Sequence, residues 1–180
     1  MRPLRVLILN RGEIALRLAQ SAYDLNLEPV VIHTNSEKLN LSSVSQIAKV
    51  VEIPGKGATA YLDTEYLIAL VSELECDLVH PGYGFLSENA DLAEAVEKAG
   101  KIWVGPTVDQ LRLFGNKLSA KDHAEKCGVP VLKSSRILQK PLEMEEWLKE
   151  LPQRQSCLLK AVYGGGGRGI REVNHETDFS

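Results

Sequence analysis

Apolar positions along the chain come in short runs separated by amphipathic stretches. Leu4-Arg5-Val6-Leu7-Ile8-Leu9 is apolar enough for a strand covered on both faces. Asn10-Arg11-Gly12-Glu13 then turns into a helix with Ile14, Leu18, Ala22 and Leu25 on one stripe, and Pro29–His33 is the next strand. The right-handed crossover rule makes these two strands parallel neighbours. Residues 35–48 are polar and weakly patterned, and a modest strand over 48–53 stops at Pro54-Gly55. Asp63 or Thr64 caps a helix carrying Leu67, Leu70, Val71 and Leu74, and a strand follows over 77–80. Ser87 is the expected cap of a helix through Leu92, Ala95, Val96 and Ala99, closed by Gly100 before a fifth strand over 101–104. Strands alternating with helices over residues 4–104 predict an α/β fold built on a doubly wound parallel sheet.

After Gly105-Pro106 the period changes. Thr107 and Gln110 have the spacing of a capping box for a short helix to Phe114, and Gly115-Asn116 breaks it. Lys117 stands just before a second helix carrying Leu118, Ala120, Ala124 and Cys127, which Gly128 ends. A new unit is expected beyond Val129-Pro130-Val131. It holds a strand over 135–138, a helix from Pro141 to about Glu150, a buried strand ending at Lys160, and a return strand from Ile170. The expected organisation is an α/β domain over 1–115, a helical connection over 116–130 and a further subdomain over 131–180.

Charge and composition narrow the possible functions. The net charge of -3 over 180 residues leaves no basic footprint for nucleic acid. No apolar run is long enough to span a bilayer. Cys76, Cys127 and Cys157 are odd in number, widely spaced and set among apolar residues, the pattern of reduced core thiols in an intracellular protein. His33, His80, His123 and His175 lack metal-ligand spacing. Nothing resembling a transit segment precedes the first strand, so the cytosol is the expected compartment, with the mitochondrial matrix also compatible.

Four stretches could carry chemistry. Lys160 precedes Gly164-Gly165-Gly166-Gly167-Arg168 at the tip of the expected hairpin. Backbone N–H groups free of side chains, with cations beside them, suit a phosphate. The alternative is a plain hairpin turn, which leaves the flanking Lys160 and Arg168 without a role. Arg168-Gly169-Ile170 leads into a strand rather than a helix, so the loop is neither a Walker A loop nor a dinucleotide fingerprint. His80-Pro81-Gly82-Tyr83-Gly84-Phe85-Leu86-Ser87-Glu88-Asn89 leaves the carboxyl end of a parallel strand, where open α/β sheets bind ligands. Tyr83 offers a donor there and Glu88 an acceptor; a Gly-rich connection with Phe85 in the core is the structural alternative. Lys117 could reach towards a phosphate or be solvated surface. Asn10-Arg11-Gly12-Glu13 also lies at a strand's carboxyl end, where an ordinary turn with Glu13 favouring the helix dipole explains it as well.

Taken in order, Asn10-Arg11-Gly12-Glu13-Ile14-Ala15, His80 through Ala90, Gly105-Pro106, Lys117, Gly128-Val129-Pro130-Val131 and Lys160 with its glycines resemble the biotin carboxylase family of ATP-grasp enzymes. The resemblance implies a Rossmann-like domain that precedes the ATP-grasp fold, followed by part of an ATP-grasp lid subdomain. Such enzymes use ATP, magnesium and bicarbonate to carboxylate N1′ of biotin held on a carrier protein or domain, through carboxyphosphate, and hand the carboxyl group to a carboxyltransferase component. By the resemblance, Lys117, Lys160 and Gly164, Gly165, Gly166 and Gly167 contact ATP, Tyr83 lies beside the biotin ureido ring, and Arg17 serves a homodimer interface.

Some positions depart from the family pattern: Val162-Tyr163 replace small residues, Asn116 replaces an aspartate, and Gln20 replaces a second dimer-contact arginine. In the family the magnesium carboxylates, the bicarbonate-binding arginine and the catalytic base all lie beyond the glycine loop. The expectation is therefore an N-terminal portion of a biotin carboxylase that does not turn over alone, with no catalytic or metal residue of its own. Rival readings are another ATP-grasp ligase, such as the carbamoyl phosphate synthase type, and a non-catalytic interaction fragment. The final acyl acceptor is not encoded in these residues.

Overall fold

The computed structural model describes residues 2–37, 44–135, 137–152, 156–161 and 169–174. The chain divides into two compact units, Met1–Arg112 and Leu113–Ser180.

The first unit is a parallel sheet of β1 (Arg5–Ile8), β2 (Glu28–His33), β3 (Lys49–Glu52), β4 (Leu78–His80) and β5 (Ile102–Trp103), in the order β3-β2-β1-β4-β5. Arg5 pairs with Glu28 and Ile8 with Val31 on one side of β1, while Val6 to Ile8 pair with Leu78 to His80 on the other. Alternate side chains of one strand enter different cores. Leu7, Leu9, Val30, Ile32 and Val79 pack with α2 (Thr64–Glu73) and α3 (Ala90–Lys98), whereas Ile8 and Val31 pack with Ala15 and Ala19 of α1 (Gly12–Asp24). Burial on both faces is the doubly wound arrangement that the continuous apolar strands imply.

Helix faces differ from expectation in detail. On α1 the buried stripe is Ala15, Ala19 and Ala22; Ile14 and Leu18 are half-buried, and Leu25 is exposed beyond the last turn. Methyl-sized side chains let the helix backbone approach the sheet, and the larger residues cover its flanks. On α3, Ala93 is buried in place of Ala95 and Ala99. Its cap is Asn89, not Ser87: the Asn89 carboxamide oxygen accepts from Leu92 N at 2.8 Å. An Asx side chain reaches the orphan N–H groups of the first turn as well as serine does, and the loop ends two positions later than expected. Asp63 caps α2 through Tyr66 N, and Thr107 and Gln110 form the reciprocal pair opening α4 (Val108–Gly115).

In the second unit, Lys117 is the first residue of α5 (Lys117–Lys126) rather than a residue preceding it. Asn116 is the cap, accepting from Leu118 N and Ser119 N. α6 (Pro141–Lys149) opens on its proline and buries Met144 and Leu148 against Val173. β6 (Cys157–Lys160) and β7 (Ile170–Val173) are antiparallel, with Lys160 opposite Ile170. β6 is not buried: Leu158 is 57% exposed and Leu159 38%. Among the described residues of this unit it has one partner strand and the small Met144–Leu148–Val173 cluster, less cover than a buried strand needs. No strand forms among the described residues of 135–138. The cysteines follow expectation only in part: Cys76 is buried in the core, but Cys157 is half-buried and Cys127 is exposed at the end of α5. An amphipathic stretch does not guarantee cover, since α5 buries no residue.

Candidate functional site

The described residues of each unit include a polar concavity or cluster. In the first, the carboxyl ends of β1, β2 and β4 bring together residues that follow their last strand positions. Asn10 is fully buried just after β1. Its Nδ2 donates to the carbonyls of Pro81 at 2.8 Å and Tyr83 at 3.0 Å, and its Oδ1 accepts from Arg11 N at 2.9 Å. Every polar atom of the amide is thereby matched, and two of its bonds fix the loop after β4.

That loop is further held from within. His80 Nδ1 accepts from Gly82 N at 3.0 Å, which places the ring proton of the neutral imidazole on Nε2; burial lowers the His80 pKa from its ordinary value. Gly82 has φ +70, and a Cβ there would stand 2.7 Å from Asn10 Nδ2. The loop presents Tyr83, 67% exposed, to solvent, while Phe85 turns back with φ +47 and sets its ring 5.7 Å from that of Tyr61. Phe85 is thus 36% exposed and does not take the core position, although its ring leans on Tyr61. Glu88 is exposed.

Glu37, after β2, is the centre of a network that the sequence reading did not find. Its Oε1 accepts from Arg11 Nη1 at 3.0 Å; Oε2 accepts from Thr34 N at 3.0 Å and from the Tyr61 hydroxyl. Burial opposes ionisation of Glu37. The bonds from Tyr61 and Thr34, with the Arg11 charge, outweigh it and hold the carboxyl below its usual range. For Tyr61, burial first and the Glu37 carboxylate second push the phenol pKa upward. Glu37 sits in a polar stretch without periodicity and Tyr61 in a short 3-10 turn, so only an Arg-Glu-Tyr combination spread over three loops could have signalled them.

The second unit contains a cavity of ≈ 840 Å³. Lys117 and Lys160 both line it, together with Lys121, Ser134 and the apolar Leu138 and Trp147. Lys160 ends β6, and Ala161 N donates to Gly169 O at 2.9 Å across the base of the hairpin. Gly164, Gly165, Gly166, Gly167 and Arg168, with Val162-Tyr163, lie outside the described residues. Arg17 is exposed on α1, and Gln20 donates to Asp24 on the same helix at 2.8 Å. Among the described residues no group of three or more His, Cys, Asp or Glu side chains could hold a metal ion, and no helix is long and apolar enough to cross a membrane.

Residues 3–111 match the family described as biotin carboxylase, N-terminal domain. The chain belongs to this family. The biotin carboxylase of Pseudomonas aeruginosa is 39% identical over 179 residues, covering 97% of this chain and 39% of that protein. A pyruvate carboxylase of Aspergillus terreus is 37% identical over 181 residues, again 97% of this chain but 15% of the relative. Among solved structures, the biotin carboxylase domain dimer of Hydrogenobacter thermophilus 2-oxoglutarate carboxylase, in complex with MgADP, ADP and bicarbonate, superposes with a TM-score of 0.84 at 34% identity, covering 98% of this chain and 39% of that one. The chain therefore spans less than half the length of each of these relatives.

Proposed function

We propose that this chain forms the N-terminal part of a biotin carboxylase, a ligase that carboxylates carrier-bound biotin with ATP and bicarbonate through carboxyphosphate. The observation that carries this reading is the convergence of Lys117 and Lys160, from a helix start and a strand end, on one cavity. Two ammonium groups beside an apolar wall suit the phosphates and the base of a nucleotide. In this reading Lys117 and Lys160 hold ATP phosphates, the amides of Gly164 to Gly167 close over them, and exposed Tyr83 contacts the biotin ring. Arg17 serves a homodimer, and the partners are a biotin carboxyl carrier protein or domain and a carboxyltransferase component, in the cytosol.

Magnesium would neutralise charge on the phosphates when bound, and among the described residues no group of three or more His, Cys, Asp or Glu side chains gathers to hold it. We assign its ligands and the catalytic base to the part of the relatives' length that this chain does not span. The 180 residues alone are then inactive towards biotin.

A hybrid that continues this chain with the remaining length of the Pseudomonas aeruginosa relative tests the proposal. It should hydrolyse ATP in a bicarbonate-dependent manner, stimulated by free biotin. Hydrolysis driven by ammonia or glutamine, indifferent to biotin, would point to the carbamoyl phosphate synthase type. A folded hybrid that binds no nucleotide would leave a non-catalytic interaction module. Titration of this chain alone with magnesium-ATP in a calorimeter should give weak binding; tight binding would overturn its assigned incompleteness.

A further inference from the structure

Lys121 lines the cavity with Lys117 and Lys160, yet it belongs to no motif that pointed to the site. It follows Lys117 by one turn of α5, so the two side chains share a helix face. Its side chain is 23% exposed, low for a residue normally left in water. α5 buries no residue, so this cationic face is not a by-product of core packing. Lys121 Nζ donates to Ser134 Oγ, and Ser134 lines the cavity too. A hydroxyl that accepts from an ammonium keeps its own proton to donate. Glu125 lies 3.8 Å from Lys121 Nζ with its side chain 52% exposed, a long contact that solvent screens and a multiply charged anion can displace.

We infer that Lys121 and Ser134 form an additional phosphate subsite in this cavity, one that extends the Lys117–Lys160 pair along a polyphosphate chain. The inference rests on the reading of the cavity as a phosphate site and names two further binding residues within it. In the subsite, Lys121 keeps its ammonium on an anion oxygen while the Ser134 O–H donates to the same group.

The probe is inorganic tripolyphosphate, titrated into the 180-residue chain at low ionic strength and followed by calorimetry and by the fluorescence of Trp147, which lines the cavity. Lys121→Gln should weaken binding about tenfold and flatten its salt dependence. Lys121→Arg should retain most of the affinity, and Ser134→Ala should lose about threefold, one neutral donor's worth. Lys126→Gln, an exposed residue of the same helix that does not line the cavity, should change nothing. If Lys117→Gln and Lys160→Gln weaken binding while Lys121→Gln does not, the subsite is wrong and the phosphate reading survives. Equal losses from Lys121→Gln and Lys126→Gln would reduce the effect to overall charge and also overturn it. No binding by the unaltered chain, or none of its affinity lost in Lys117→Gln and Lys160→Gln, would overturn the phosphate reading and the subsite together.

Discussion

The buried amide of Asn10 donates to the main-chain carbonyl of Tyr83 at 3.0 Å, so a residue just after β1 fixes the residue that the loop after β4 presents to solvent. The second donor bond, to Pro81 O, makes the amide a two-pronged clamp between neighbouring strands. Replacing Asn10 by Ala strands both carbonyls, and each buried unpaired group costs about 1–3 kcal/mol. The expected loss is about 2–6 kcal/mol in urea denaturation. Asn10→Asp is expected to show a distinctive pH dependence. A carboxylate facing two carbonyls is disfavoured, so its folded pKa rises above the unfolded value. The variant should be least destabilised in acid and lose stability as pH rises above the unfolded aspartate pKa of about 3.9. A pH-independent deficit would show that the amide hydrogens do not hold the loop.

Gly82 and Gly84 make an internal comparison. Both have left-handed backbones, φ +70 and φ +67, but a Cβ at Gly84 meets nothing within 4 Å, whereas at Gly82 it strikes Asn10. Gly84→Ala should therefore cost only the conformational strain, about 1–2 kcal/mol. Gly82→Ala adds the displacement of the clamp and should cost about twice that or more in thermal unfolding, by breaking buried hydrogen bonds. Equal melting temperatures for the two variants would refute the steric account.

The alanine stripe of α1 is the next case. Ala19 is fully buried against the sheet face that carries Ile8 and Val31. Ala19→Leu should destabilise by about 1–3 kcal/mol through overpacking, although leucine is more hydrophobic and nearly as good a helix former. Gln20→Leu, one position on and exposed, should leave chemical denaturation almost unchanged. A stabilised Ala19→Leu variant would mean that the helix does not approach the sheet closely.

The centre of the sheet was legible because β1 and β2 are near-continuous apolar runs between turn residues, and burial on both faces leaves no polar side to confuse the period. The helix faces were less legible: counting large apolar residues favoured Ile14 and Leu18 over Ala15 and Ala19, although tight packing on a sheet selects for small volume. Lys117 could be singled out because it follows a helix break, and Lys160 because it ends an apolar run just before the glycines. The Glu37 network and the Lys121–Ser134 pair could not, since their members are ordinary polar residues whose meaning comes from loops that meet only in the folded chain. Exposure of β6 was likewise unreadable, because an apolar run specifies a wish for cover and not whether the same unit supplies it.

Tyr61 and Glu37 allow the sharpest pH prediction. The folded Glu37 pKa lies below its unfolded value, so its bonds stabilise the first unit fully above the unfolded carboxylate pKa, about 4.3. That contribution is lost as pH falls through the lower folded pKa, when the carboxylate takes up a proton and no longer accepts from Arg11 and Thr34 as an anion. Glu37→Gln removes the titration, so stability below pH about 5 should become flatter than in the unaltered chain. Tyr61→Phe removes one donor to a charged acceptor and should cost about 1.5–3 kcal/mol at neutral pH. It should also raise the acid midpoint, since Glu37 loses a bond that favours its charged form. At the alkaline end the sign reverses: folding favours the protonated phenol, so stability falls above the unfolded tyrosine pKa of about 10, and Tyr61→Phe should abolish that decline. Denaturation series across both limbs check the pair, and an acid limb unaffected by Glu37→Gln would remove the network from the forces holding the loops at this end of the sheet.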